Sequence, residues 1–338
     1  MSVAALRQFS LRRPQAVFEH RGVPSRWAAW PRELLHRRRA LEDRARYHPD
    51  RPCDVFHATE TALRPVAATA VVATVHDMGA LRGVVPAGGA DLERARVVFG
   101  RALGRADVVL AVSQAALDDL VHAFPEHAGR ARVVYPALIP TEPVAVPACR
   151  GAYVAFVGAT NRRKDLDVLL HGVALLREAG EWPGGVSLVV AGPAGDFEAG
   201  LLRLSNGLGI SDLVRRIGYL PSDGAVEDVI RHAVCFAYPG RHEGFGFPAL
   251  RAMAAGVPVV ACASAAIPEV TAGAAALFPP GDSEALAAQL GRLLNEPAAR
   301  DRAAAAGRER AKAFSLRRFG EELLSAYGEA LRRATLGP

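Results

Sequence analysis

Residues 54–58, 70–77, 107–112 and 132–135 each carry a short run of small and β-branched apolar side chains, which predicts four buried strands. Ser113 stands before an amphipathic stretch reaching Phe124, and its hydroxyl suits a helix N-cap. Pro136, Pro140, Pro143 and Pro147 then fall within twelve residues. Such spacing bars helix and central strand alike, so 136–148 is predicted to link two domains. The strand pattern resumes at 153–158, 186–192, 214–219, 234–238 and 257–261, with an amphipathic helix at 166–178. Ala- and Arg-rich helical sequence fills 283–333. Strands alternating with helices imply parallel sheets covered on both faces, hence an α/β fold. The predicted division is a first domain at 1–148, a second at 149–314, and a final helix at 315–338 that can cross back onto the first.

Composition changes this picture little. The chain has 338 residues, half of them hydrophobic and 22% charged, which suits a globular protein of two ordinary domains. The longest near-apolar stretch, 65–75, is too short to cross a bilayer and reads as a buried strand. No apolar segment follows the first charges, so no secretory leader is expected. Cys53, Cys149, Cys235 and Cys262 have neither metal nor redox spacing and are expected as reduced, partly buried thiols of a cytosolic protein. Charge is uneven: residues 1–51 hold twelve Arg against five acidic residues, while the whole chain is only +6. Segment 31–47 can form an Arg-rich helix with Leu34, Leu35 and Leu41 on a thin apolar face. A basic end of this kind suits anionic lipid headgroups, although Arg is also this chain's default cation. Nucleic acid is not expected, because no interleaved aromatic pattern accompanies the charge.

The candidate chemistry is concentrated in 241–270, RHEGFGFPALRAMAAGVPVVACASAAIPEV. Glu243 precedes Gly244-Phe245-Gly246-Phe247, and Pro248 is predicted as the first helical residue, where its missing N–H costs nothing. Glycines before a helix let backbone amides approach an anion. A carboxylate beside them suits a ligand with both phosphates and hydroxyls, such as a nucleotide sugar. Arg163 and Lys164 follow the strand ending at Gly158, where open α/β sheets place their ligands. Two cations there suit a diphosphate leaving group, and Lys164 is one of only two lysines against thirty-nine arginines. The competing reading is a solvated helix start. His57 and His76 each end an apolar strand; a lone His there is more often a satisfied core residue than a catalytic one, and the alternative for His57 is a place lining the acceptor side of the cleft. No G-x-G-x-x-G follows a strand with an acid some twenty residues on, which argues against a dinucleotide dehydrogenase.

Several ordered motifs add a family resemblance: VHDM at 75–78, ADVVLAVS at 106–113, FVGATNRRKDLDVLL at 156–170, GYLP at 218–221, the EGFG-P loop at 243–248, IPEV at 267–270 and AKAFS at 311–315. Together, over about 54–327, the chain resembles the family-4, group 1 glycosyltransferases, in particular their mannosyltransferase-like members. The resemblance implies the GT-B fold, two Rossmann-like doubly wound domains facing across a cleft. It also implies transfer of a hexosyl residue from a nucleoside-diphosphate sugar to an acceptor hydroxyl with retention of configuration, without a cofactor or bound metal. By residue, it implies that Glu243 orients the donor sugar, that Arg163 and Lys164 stabilise the leaving diphosphate, and that His76 completes the sugar pocket. Gly158 and the amides of Gly244, Phe245, Gly246 and Phe247 would hold the donor, while Tyr219 and Glu269 shape the nucleotide pocket. Asp165 stands in the family's Asn place. Arg251 stands where a second Glu usually holds the ribose; leaning towards the helix start, its guanidinium can return to the glycine loop to meet Glu243 or a phosphate, or else lie exposed. The family's first strand and glycine-rich loop are not visible, so a shortened first domain is expected. The acceptor reads as a lipid-linked glycan or a small metabolite, and the location as the cytoplasm, including the inner membrane face. The alternative is a degenerate GT-B protein that binds nucleotide or a partner without turnover.

Overall fold

The apolar runs form strands that pair only in parallel. The computed structural model describes residues 53–59, 68–79, 81, 89–146 and 149–336. The Arg-rich segment 31–47, the rest of the basic cluster and Pro147 lie outside these. The first sheet has the order β1 (Cys53–Ala58), β2 (Ala68–Val75), β3 (Val108–Ala111) and β4 (Ala131–Val133). Among the described residues this sheet has four strands. The helices α1 (Gly89–Gly104) and α2 (Gln114–Ala123) complete the domain's alternation. Ser113 caps α2 as expected, its side chain accepting from the Ala116 amide. Helix α1 was not anticipated from the sequence; Val97 and Val98 face solvent, which blurs its apolar stripe.

The second sheet contains β5 (Ala152–Val157), β6 (Val186–Ala191), β7 (Val214–Gly218), β8 (Cys235–Tyr238), β9 (Val259–Cys262) and β10 (Ala276–Phe278). Their order in space is β10-β9-β8-β5-β6-β7. The strand order therefore reverses beside β5, and the crevice outside the carboxyl ends of β5 and β8 is the topological switch point. Both faces are buried. Val154 and Phe156 of β5 point into one apolar cluster, whereas Tyr153, Ala155 and Val157 point into another, as the twofold period of a strand requires. Around the sheet run α3 (Leu166–Glu178), α4 (Glu198–Gly207), α5 (Asp223–Arg231), α6 (Phe247–Ala255), α7 (Ile267–Thr271), α8 (Ser283–Asn295) and α9 (Pro297–Ala311).

The helical sequence after 283 is not one rod: α8 and α9 break at Glu296, before Pro297, and a 3-10 turn at Lys312–Phe314 precedes α10 (Leu316–Leu336). Helix α10 lies on the first sheet, where Ala326, Tyr327 and Ala330 pack among Val55, Val72, Val108 and Leu110. This placement also explains His57. Its Nδ1 lies 2.9 Å from the Tyr327 hydroxyl and its Nε2 2.7 Å from Thr74 Oγ1. His57 is thus a satisfied core residue, and burial lowers its pKa to about 4. It does not line the cleft. From 134 to 146 the chain forms no regular secondary structure. Within it, Leu138 donates to the Phe314 carbonyl, Val144 to the Gly224 carbonyl and Val146 to the Asp228 carboxylate.

Candidate active site

Strand β5 ends at Val157, and the following turn places Gly158 against the neighbouring strand end. A side chain on Gly192 would overlap the Gly158 carbonyl, and a Cβ on Gly158 would press within 3.1 Å of the Phe156 ring and 3.7 Å of Lys164 Cε. The chain then makes a 3-10 turn, Arg162–Lys164, closed by Asp165 in the left-handed conformation at φ 46°. Asn and Asp tolerate that conformation best among residues with side chains, which gives the Asp165 substitution a physical basis. Asp165 is also clamped by Arg241 through bonds of 2.6 and 2.7 Å. The turn carries Lys164 inward, where it is 8% exposed.

Its partner comes from the other side of the switch point. Glu243, 7% exposed, accepts from Lys164 Nζ at 2.6 Å and lies 3.6 Å from Arg163 Nη1. Arg163 also donates to the His242 carbonyl at 2.9 Å. Below this group Lys164 Nζ sits 5.3 Å from the centre of the Tyr238 ring. Burial first, and then the charge of the Glu243 carboxylate, push the Tyr238 phenol well above its usual range. Burial lowers the Lys164 pKa, with Glu243 opposing. Gly240 leaves room for the carboxylate, since a Cβ there would stand 2.7 Å from Glu243 Oε1. The result is one carboxylate with two cations at the mouth of a parallel sheet. Such a group can meet sugar hydroxyls with the carboxylate and phosphate oxygens with the cations.

The glycine loop follows directly. Gly246 adopts φ 92° as the residue before α6, which starts at Phe247; Pro248 is therefore second in the helix rather than first. The Gly244 carbonyl accepts from Ser113 Oγ at 2.7 Å, and a side chain on Gly244 would collide with the His76 carbonyl. Phe245 is buried against Phe314 while Phe247 is partly exposed, the two rings 4.9 Å apart. His76 and Asp77 lie just beyond β2, not within it. The His76 imidazole is exposed and donates from Nε2 to the Thr59 carbonyl at 2.7 Å. The first domain thus brings His76, Asp77 and Ser113 to the same loop. No group of three or more His, Cys, Asp or Glu among the described residues is arranged to hold a metal.

Comparison with known proteins fits this arrangement. Residues 148–310 match the family described as glycosyl transferases group 1, and residues 3–141 match glycosyltransferase family 4. The chain belongs to the family-4, group 1 glycosyltransferases. It is 31% identical over 282 residues to D-inositol 3-phosphate glycosyltransferase of Saccharomonospora viridis, covering 77% of this chain and 65% of that one. It is also 31% identical over 178 residues to the O-antigen chain mannosyltransferase B of Escherichia coli, covering 52% and 45%. The chain spans 44% and 39% of the length of two further inositol-phosphate relatives, from Actinosynnema mirum and Salinispora tropica. Among solved structures, Anabaena HepE in complex with UDP and glucose superposes with a TM-score of 0.64 at 17% identity, over 81% of this chain and 78% of that one. At that identity the likeness concerns the fold, and the two parallel sheets are those of GT-B structures.

Two further expected donor-site residues have partners of their own within the chain. Arg251, in the family's second-Glu position, turns to Asp223 at the start of α5, with Nη1 3.1 Å from Oδ1. Glu243 is paired with Lys164 and Arg163 rather than with Arg251. Glu269, expected to shape the nucleotide pocket, accepts from the Gln114 and Ala115 amides of α2 at 2.7 and 3.1 Å. Tyr219 follows β7 and is 72% exposed, free to meet a ligand. Ser113, Asp223 and Tyr238 were not among the expected site residues. Ser113 and Tyr238 already had a local reading, as a helix cap and a buried strand end, and no helix was expected at Asp223.

Proposed function

We propose that this chain transfers a hexosyl residue from a nucleoside-diphosphate sugar to an acceptor hydroxyl with retention of configuration. The observation that carries the proposal is the buried Glu243–Lys164–Arg163 group at the switch point of the second sheet. HepE, a structure of the same fold, holds UDP and glucose, which supports a nucleotide-sugar donor. In this reading Lys164 and Arg163 bind the diphosphate and stabilise the charge that grows on it as the glycosidic bond breaks. Glu243 accepts from the donor sugar's hydroxyls, and the amides of Gly244 to Phe247 complete the donor cradle with Gly158. His76 faces the sugar from the first domain, while Tyr219 and Arg251 border the nucleoside. The acceptor hydroxyl attacks on the face from which the diphosphate departs, and the departing phosphate takes up its proton. Cleft closure excludes water that would otherwise hydrolyse the donor.

The two cations share Glu243 with each other, so a donor that enters must draw both of them from the carboxylate. A diphosphate offers an anionic phosphate to each cation, which a single phosphate does not. Kinship with mannosyltransferases and inositol-phosphate glycosyltransferases favours a hexose donor. For the acceptor we favour a lipid-linked glycan, presented at an anionic membrane face that the Arg-rich residues 1–51 would meet; a small metabolite is the other candidate. Among the described residues no helix is long and apolar enough to cross a membrane. The test is a thermal-shift screen of UDP-, GDP-, ADP- and dTDP-sugars, since a ligand bound only by the folded state raises its stability. One base series should stabilise the protein and its sugar should be transferred or slowly hydrolysed. Stabilisation without any turnover would favour a non-catalytic nucleotide-binding subunit, and no stabilisation by any of them would defeat the donor reading.

A further inference from the structure

Helix α2 belongs to the first domain, yet the charge that completes its N-terminus comes from the second. Ser113 accepts from the Ala116 amide at 3.0 Å, leaving the Gln114 and Ala115 amides to find partners. The first turn of α2 contains no acidic residue. Glu269 supplies one from 155 residues away, Oε1 to Gln114 and Oε2 to Ala115. A carboxylate at that end is favoured by both the unpaired amides and the helix dipole.

Glu269 is itself held in place. Arg310 of α9 donates to the Glu269 and Val270 carbonyls, each at 2.8 Å. Tyr135, on the segment joining the domains, lies within reach of the Glu269 charge: burial first, and then that carboxylate, raise the pKa of its phenol. Below them Val112 and Ala116 of the first domain share one apolar cluster with Phe245, Val270 and Phe314. The same turn of α2 is also fixed to the glycine loop, because Ser113 Oγ donates to the Gly244 carbonyl.

We propose that Glu269 is a positioning residue that clasps the two domains and, through Ser113, holds the loop Gly244–Phe247 in its binding shape. Its effect on the donor rests on the reading of that loop as part of the donor site. The simpler account is that Glu269 only stabilises α2, and the two differ in what restores function. In Glu269→Ala, an acid placed within α2 itself, Gln114→Asp, satisfies the helix end but cannot join the domains. It is made with Asp118→Asn, because Gln114 Nε2 donates to Asp118 in the wild type and two carboxylates there would repel.

The experiment measures thermal stability, affinity for UDP, GDP, ADP and dTDP, and amide exchange of residues 244–247 in the full chain. Glu269→Ala should speed exchange in the loop and weaken nucleoside-diphosphate binding about tenfold, the scale of one charged hydrogen bond. The added acid should restore the melting temperature without restoring affinity or exchange protection. Unchanged loop exchange in Glu269→Ala, or recovery of affinity together with melting temperature, would overturn the clasp. If the wild type binds none of UDP, GDP, ADP and dTDP, the donor reading fails and the proposed effect on affinity fails with it. Loop exchange still decides the clasp in that case.

Discussion

Replacing Lys164 by Met separates the two roles of the buried ion pair. Met fills nearly the same volume but leaves Glu243, 7% exposed, without its 2.6 Å partner. Stranding one member of a buried pair costs about 3–5 kcal/mol. Arg163 remains at 3.6 Å, so the low end applies, about 3 kcal/mol. For a domain of this size that corresponds to a fall in melting temperature of about 6–12 °C. Adding Glu243→Gln removes the stranded charge and should recover about 2 kcal/mol of the loss. Binding should behave differently. Loss of the charged contact should weaken a nucleoside diphosphate by about 1.5–3 kcal/mol, roughly 10- to 150-fold, and the second substitution should not restore it. Denaturant melts and titration calorimetry on the wild type, both single variants and the double variant form a complete cycle. The reasoning is refuted if Lys164→Met is as stable as the wild type, or if the double variant is no more stable than Lys164→Met. Equal affinity for UDP in wild type and Lys164→Met would remove Lys164 from the diphosphate site.

Four further outcomes are expected. Glu243→Ala should retain its fold by circular dichroism and lose most sugar transfer; near-normal turnover would exclude Glu243 from the site. His57 gives a pH dependence: its folded pKa of about 4 lies below the ordinary 6.5, so the unfolded chain binds the extra proton first. Stability from neutral His57 is therefore present above about pH 6.5 and lost towards pH 4, by up to about 3 kcal/mol, and His57→Gln should flatten that slope in urea melts. An unaltered slope would show that other groups carry it. Arg251→Glu sets a second carboxylate against Asp223 and should raise the donor KM although it matches the family residue; a lower KM would refute the pairing's importance. In flotation assays the full chain should bind anionic but not neutral vesicles, with binding falling as salt rises, whereas equal binding to both would dismiss residues 1–51 as a lipid-seeking segment.

The strands were legible because parallel sheets buried on both faces need continuous apolar runs, and β3, β8 and β9 are buried at every position. The three-residue strand β10 left too little pattern to read. Arg163, Lys164 and Glu243 were legible one by one, because each follows a strand end and α/β topology gathers such turns. Their ion pairing across 79 residues was not. Contacts that depend on how domains meet leave still less trace. Glu269 reads locally as the acidic residue of a short helix, and its partner amides have no side-chain signature. His57 looked like any strand-end histidine until α10, with Tyr327, closed over it. Arg251 had a recognisable position in the motif, but its partner Asp223 lies on another helix whose packing the motif does not specify.

The most direct measurement is a crystal structure of the chain with UDP and, in parallel, with the nucleoside diphosphate that the thermal-shift screen favours. The account expects the diphosphate in the switch-point crevice, its oxygens within hydrogen-bond distance of Lys164 Nζ and the Arg163 guanidinium, and the Gly244–Phe247 amides facing it. A nucleotide bound elsewhere, with Lys164 and Arg163 still closed on Glu243, would contradict the assignment of this group as the donor site.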